Sequence, residues 1–487
     1  MNRILITHSY FYKFDPKQWN TKQPYPPLGT LYAASVLRKC GFDIALFDTN
    51  LADSPADIIS VISKVKPYYL VIYDDVFNYL SKMCLTKMRE AAFELVTIGK
   101  QHACKIITAG SDSSDNYEKY LDAGADYVIL GEGELTLREL ISTLENGNEN
   151  LTEINGIVFR ENGRTIKTAG RSIINNLDEL PFPAWDLIDI ESYREIWMTN
   201  HGFFSINMAT TRGCPYKCNW CAKPIYGNRY NSRSPENVIE EVEYLITEFK
   251  ADAIWFCDDI FGLKPGWINE FRNMVHVRKL KFRYKIQSRA DLLLKGDTID
   301  ALYESGVDTI WVGAESGSQI ILDAMEKGTT VEQIYKVTQL LKMKNIKVAF
   351  FIQLGYPGET KDDISKTIRM IRDLLPDDIG ISVSYPLPGT KFYEKVKDEL
   401  KTKANWIDSD DLAMMFKNAY PPEYYKKMHH YIHGVYRLAK SLKLWRLFLS
   451  DPFGQNWKTI RPAISGLLIL PRIIMDSIVL KKIEGSV

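Results

Sequence analysis

Thr210-Thr211-Arg212-Gly213-Cys214-Pro215-Tyr216-Lys217-Cys218-Asn219-Trp220-Cys221 follows an apolar run, Ser205–Thr210, that reads as a β-strand. Its cysteines are four and then three residues apart, on a loop short enough for three thiolates to converge. Three thiolates can hold three irons of a four-iron cluster and leave the fourth open to a substrate. A zinc site would want a fourth Cys or His, and none follows at finger-like spacing. The plain alternative is three buried cysteines with no ligand. Seven cysteines in 487 residues do not make a disulfide scaffold, and three crowded into eight positions fit a reducing compartment and metal chemistry. Cys40, Cys84 and Cys104 read as core, and Cys257 as a packed neighbour rather than a ligand.

Outward from that loop, residues 201–395 alternate strands and helices. Strands are expected at Ser205–Thr210, Ala253–Phe256, Arg283–Gln287, Thr309–Val312, Lys347–Gln353 and Ile379–Ser384. The helices between them include two that open on proline, Pro235–Phe249 and Pro265–Arg278, a residue suited to the first helical position. Six strands with intervening helices imply an open (β/α)6 barrel, whose functional groups collect at strand C-termini. Residues 1–145 carry a second α/β rhythm, with strands at Ile4–Ile6, Ile44–Phe47, Tyr69–Tyr73, Lys105–Ala109 and Tyr127–Leu130 and helices such as Leu28–Lys39 and Met83–Gln101. That pattern implies a Rossmann-like parallel sheet with ligand-capable loops at its carboxyl edge. No Gly-x-Gly-x-x-Gly follows the first strand, so a dinucleotide is not favoured. Residues 146–200 read as a linker with an Asn-Gly hairpin, and residues 396–487 as mainly helical.

Lys+Arg and Asp+Glu both number 61, a balance that argues against a nucleic-acid partner, which needs a basic face. Hydrophobic residues at 45% and charged residues at 25% exclude disordered and coiled-coil classes. The N-terminus reads as a buried strand rather than a signal peptide, pointing to the cytoplasm. No apolar run is long enough to span a membrane. The C-terminal blocks Ala463–Leu470 and Ile473–Leu480, with Arg461, Arg472, Lys481 and Lys482, suit a peripheral contact at the inner membrane face or a helix packed on a partner.

The cysteine spacing after a first barrel strand resembles the radical S-adenosylmethionine (SAM) superfamily. The resemblance implies Cys214, Cys218 and Cys221 as ligands of a 4Fe–4S cluster, an external low-potential electron donor, and Trp220 near the SAM adenine. It further implies SAM contacts from Asp258 and Asp259 to the amino group, from Ser288 and Arg289 to ribose and carboxylate, from Glu315 to ribose, and from Gly355 through close backbone approach. The acids at 258–259 replace the commoner Gly-Gly-Glu, and on spacing alone they equally suit a solvated turn or a helix cap. With the α/β unit in front, residues 1–395 resemble the cobalamin-binding subfamily, on Pro26–Ala34, Thr108–Ser113 and Asp126–Glu134. That implies Gly29, Gly110, Ser111, Gly131 and Glu132 at cobalamin. The Asp-x-His-x-x-Gly signature for a cobalt ligand is absent, since His8 and His102 stand outside any such spacing, so a repurposed domain stays open. Segments 406–416 and 424–433 resemble the branch with the anaerobic magnesium-protoporphyrin monomethyl ester cyclase and hopanoid-modifying enzymes. His429 and His433 share one helical face, where packing competes with a metal or substrate role. The implied activity is C-methylation or oxidative ring formation at an unactivated carbon of a hydrophobic or lipid-like small molecule. The alternatives are a cobalamin-independent radical SAM tailoring enzyme and a non-catalytic cofactor-binding sensor.

Overall fold

The computed structural model describes residues 3–485 apart from 84, 148–149, 222, 224, 401–404, 411, 413, 451–465 and 467. Cys84, Arg461 and half of the block 463–470 therefore lie outside the described residues. Two sheets organise the rest. The first comprises β1 (Ile4–Thr7), β2 (Ile44–Phe47), β3 (Tyr69–Tyr73), β4 (Lys105–Ala109), β5 (Tyr127–Ile129), β6 (Ile157–Glu161) and β7 (Arg164–Lys167), in the order β2-β1-β3-β4-β5-β6-β7. β1 to β5 are parallel, and β6 and β7 add antiparallel at one edge. The hairpin read as part of a linker thus extends this sheet. Its Asn162-Gly163 turn takes two positive φ values, +50° and +74°, which match the twist of the paired strands.

The second sheet comprises β8 (Ser205–Met208), β11 (Ala253–Phe256), β12 (Arg283–Ser288), β13 (Val307–Glu315), β14 (Lys347–Leu354) and β15 (Asp378–Val383), and a separate two-stranded ribbon, β9 (Thr211–Arg212) and β10 (Asn231–Ser232), follows β8. Its order follows the chain, all strands are parallel, and β8 and β15 are its edges, so the sheet is an open half-barrel. Residues alternate between two faces along each strand. In β13, Ile310, Val312 and Ala314 bury against helices while Thr309, Trp311, Gly313 and Glu315 face the lumen. The helix expected from Pro265 begins at Trp267: Gly266, at φ +80°, caps it, and Pro265 stays outside.

One hydrophobic core joins the two sheets, running from Leu28, Tyr32, Phe77 and Leu80 into Phe204, Ile206, Val238 and Phe256. The first two of these lie on α1 (Leu28–Lys39). The segment before α1 also covers the start of the half-barrel, where Asn207 donates to Pro26 O at 3.0 Å and Tyr25 stacks beside Trp255. The expected helix 83–101 begins only at Thr86, as α2 (Thr86–Gln101). There the N–H groups of Thr86 and Lys87 donate to the carbonyls of Trp406 and Ile407, so a C-terminal strap caps a helix of the first domain. Among the described residues, two helices follow, α3 (Pro422–Ser450) and α4 (Leu470–Glu484), packed on each other. Among the described residues, no helix is long and apolar enough to cross a membrane.

Candidate functional site

The cysteine loop leaves the C-terminal end of β8 and is closed at its base by the β9–β10 ribbon. Gly213, at φ +79°, makes the closure possible, because a Cβ there would stand 2.3 Å from Arg229 O. Asp258, buried at the end of β11, accepts from Thr210 N at 2.7 Å, Thr211 N at 2.9 Å and Thr210 Oγ1 at 2.5 Å. Burial still pushes this carboxyl up to about 6. Asp258 therefore braces the root of the loop. Asp259 pairs with Lys82 of the first domain at 2.7 Å.

Asn219 fixes the loop's far end. Its N–H donates to Met325 O at 3.0 Å and its Nδ2 to Ala324 O at 2.7 Å. Tyr356 donates to its Oδ1 at 2.8 Å, and Phe392 N to its carbonyl at 3.0 Å. One buried amide thus ties the cysteine segment to three later βα connections. Arg289, after β12, lies against the same segment: Nη1 is 3.7 Å from Cys218 Sγ, Nη2 donates to Lys327 O at 2.6 Å, Nε donates to Asp291 at 2.9 Å, and the guanidinium stacks on Tyr216. Lys327 bridges to Glu315 at 2.8 Å. Glu315 ends β13 at φ +56°, a conformation that costs a non-glycine residue energy and concentrates at functional sites. Ser288 is buried at the end of β12. Gly355 makes its close approach to Met414, Asn418 and Tyr425, with Asn418 donating to its carbonyl, so it seats the C-terminal segment.

On the first sheet, Gly29 donates to Asp75 at 3.0 Å, and its missing Cβ lets α1 press on Val76 N. Gly110 lies against Asp74, which accepts from Ser9 N and Oγ at 2.8 and 2.7 Å. Those two glycines serve contacts within the protein, whereas a Cβ on Gly131 would meet nothing within 4 Å. Glu132 receives Arg212 on one oxygen and Ile174 N on the other, at 2.5 Å for the latter, so both oxygens are engaged within the protein. His8 is buried against Asp48 and Thr49. The rings of His429 and His433 lie 4.5 Å apart, tilted at 60°, and burial lowers them to about 3 and about 4.

From the end of β8 through β14, residues 208–371 match the radical SAM superfamily. Residues 208–371 are a radical SAM domain. An uncharacterized methyltransferase of Pyrococcus horikoshii is 28% identical over 91% of this chain and 93% of its own length. The anaerobic magnesium-protoporphyrin IX monomethyl ester cyclase of Rubrivivax gelatinosus is 25% identical over 77% of this chain and 67% of the cyclase. Among solved structures, the radical SAM methyltransferase TsrM from Kitasatospora setae, with cobalamin and a 4Fe–4S cluster bound, overlays with a TM-score of 0.66. It covers 82% of this chain and 75% of that one at 17% identity, a likeness of fold.

The residues of the radical SAM domain suit a cluster and a polar ligand. Burial pushes the Cys221 thiol up to about 12 and raises Cys214 as well, so thiolates here need compensating positive charge, and metal loading must displace protons. Among the described residues no three His, Cys, Asp or Glu side chains close on a single ion position. The thiols share one loop without being drawn to one point; each ligand of a cluster takes a different iron. Buried polar atoms without partners gather at the strand ends: Trp220 Nε1, Gln353 Oε1 and Ser384 Oγ on the barrel, Thr108 Oγ1 and Ser111 Oγ on the first sheet. Such groups cost free energy unless a ligand or water meets them. Gln353, Ser384, Lys327 and Asn219 escaped the sequence reading. The one available signal was position, since all four lie at strand ends, in the loops that follow them or within the cysteine loop.

Proposed function

We propose that the chain holds a 4Fe–4S cluster through Cys214, Cys218 and Cys221 and cleaves SAM reductively to a 5′-deoxyadenosyl radical. With cobalamin on the first sheet, it modifies an unactivated carbon of a hydrophobic small molecule by C-methylation or oxidative ring formation. The observation that carries this reading is the seating of the cysteine loop directly on the carboxyl-edge loop of a Rossmann-like sheet, across one continuous core. Cobalamin, when bound, supplies methyl-transfer or redox chemistry. Trp220, Ser288, Arg289 and Glu315 are the residues assigned to SAM, and Gly131, Thr108 and Ser111 those assigned to cobalamin. Asp258 and Asn219 hold the loop. A hydrophobic substrate is supported by the lumen face, where Trp311 and Phe351 stack at 4.7 Å. Electrons come from an external low-potential donor. On this reading the cobalamin unit is residues 1–145 with the hairpin completing its sheet, the linker ends near 200, the barrel covers 201–395 and the helical region 396–487.

A peripheral contact with an anionic membrane surface belongs to the same proposal. It is supported by the exposed Leu468, Ile474, Met475 and Ile478 beside Lys481 and Lys482.

Anaerobically reconstituted protein should bind about four irons, retain cobalamin through desalting, and form 5′-deoxyadenosine under a low-potential reductant. Loss of the corrinoid with SAM cleavage intact would favour a cobalamin-independent enzyme. Absence of SAM cleavage in iron-loaded protein would end the proposal.

A further inference from the structure

Arg212 sits two residues before Cys214, and its guanidinium is forked between two carboxylates of the first domain, Nη1 on Glu132 and Nη2 on Glu134 at 2.7 Å. The three side chains are only 4%, 5% and 1% exposed. Both acids come from one turn, Glu132-Gly133-Glu134, whose central glycine lies so close to Tyr73 that a Cβ would stand 2.9 Å from its hydroxyl. The rings of Tyr32, Phe77 and Tyr226 surround the guanidinium at 5.3–5.5 Å. Taking three charges out of water costs several kcal/mol per ion, and apolar packing would hold two domains together at least as well. What a forked guanidinium adds is direction, since its planar donors accept only one arrangement of the two carboxylates. Of the contacts between the domains, Lys82–Asp259 and Arg233–Tyr32 end outside the cysteine loop, whereas Arg212 ends inside it.

We propose that Arg212, Glu132 and Glu134 form a positioning triad that fixes the cysteine loop against the 131–134 loop of the first sheet and thereby sets the separation between cluster and corrin. The inference rests on the cluster and cobalamin reading above. Relative placement of two reacting centres matters steeply, an error of 1 Å being enough to cost about a hundredfold in rate.

The test uses the full-length protein loaded with cluster and cobalamin, with iron content, retained corrinoid and the cob(II)alamin–reduced-cluster distance by pulsed EPR read on each variant. Wild type should give one narrow distance distribution. Arg212→Met should keep irons and corrinoid yet broaden or shift that distribution, and Arg212→Lys, which keeps the charge but not the fork, should fall between. An Arg212→Met protein with full loading and the wild-type distribution overturns the proposal. If Arg212→Met does not fold, the near-isosteric Glu132→Gln and Glu134→Gln carry the same comparison, with the same outcome overturning it. If wild type binds no cobalamin, the functional reading fails, and hydrogen exchange on the cluster-loaded protein decides the positioning claim. Exchange at residues 213–218 and 131–134 should then rise about tenfold together in Arg212→Met, and unchanged exchange in either loop overturns it.

Discussion

The carboxyl edges of the two parallel sheets are built in opposite ways. On the first sheet most polar groups are spent on one another: Ser9 on Asp74, Gly29 and Phe77 on Asp75, Arg89 on Asp112. On the half-barrel the braces lie behind the edge, in Asp258 and Asn219, while Trp220, Gln353 and Ser384 are left with buried atoms lacking partners. One edge is largely a finished surface against which a large, preformed group can rest, with Thr108 Oγ1 and Ser111 Oγ there as buried atoms lacking partners. The other is a held-open cradle that stays costly until something polar fills it. Substitutions should therefore fail differently at the two edges.

The largest contrast is expected from Cys218→Ala, which removes one thiolate from the cradle. It should abolish SAM cleavage and lower bound iron, while the melting temperature of the iron-free protein stays close to wild type. Retention of full 5′-deoxyadenosine formation would break the cluster assignment. Asn219→Ala attacks the brace instead, removing both side-chain ties of the loop while Tyr356 Oη keeps Ala324 O as its acceptor at 3.0 Å. With two hydrogen bonds lost at a net of about 1 kcal/mol each, iron release to a chelator should accelerate even though all three cysteines remain.

On the finished edge, Gly110→Ala would put a Cβ 2.9 Å from Asp74 Cβ. Overpacking of that kind costs about 1–3 kcal/mol. Reduced stability in chemical denaturation, with SAM cleavage per bound cluster unchanged, is the expected outcome. Equal loss of both would erase the distinction between the edges.

The two edges were also unequally legible in the sequence. Parallel strands and the half-barrel followed from apolar runs alternating with helical periodicity, and ends moved by only a few residues because fraying decides them locally. The cysteine loop was legible because its spacing is chemical. At Glu132 and Asp258 the sequence hides the protein partners, because a carboxylate at a strand end looks the same whether it faces a ligand or a buried neighbour. Only the fold brings Arg212 within reach of the first and the Thr210–Thr211 amides within reach of the second. At Gly29 and Gly355 likewise, close approach is visible in a glycine but its partner is not. The hairpin at 157–167 looked like a linker because its pairing with β5 is non-local.

A smaller effect separates the edges by pH. Glu359, in the loop after β14, is fully buried, and burial raises it to about 8 from 4.5, against a 2.6 Å hydrogen bond from Gly355 N. The folded state therefore binds this proton more tightly than the unfolded chain. Its contribution is most favourable below about pH 4.5 and declines as pH rises towards 8. Glu359→Gln keeps the acceptor for Gly355 N and removes the titration. The variant should lose part of the downward slope in melting temperature between those limits and exceed wild type above pH 8. Parallel curves for the two proteins would mean that Glu359 is already ionised in the fold.

The smallest effect concerns a surface remote from both edges. In α4, Ile473, Asp476 and Leu480 are buried, at a spacing that presents one face to α3 and the barrel. Ile474, Met475 and Ile478 nonetheless stand exposed on the opposite side, next to Lys481 and Lys482. Deleting the helix would uncover the face that Ile473 shares with Gly434, and so would confound folding with binding. Single changes avoid this. Ile474→Glu and Met475→Glu should each alter stability by less than about 0.5 kcal/mol, as exposed positions do, while lowering the fraction that floats with anionic vesicles. Each nearby cation contributes on the order of 1 kcal/mol at such a surface, so added salt should weaken flotation of the wild type as well. A wild-type protein that never floats, at low salt and with anionic lipid in excess, removes the membrane from the proposed function and leaves both sheet edges as argued.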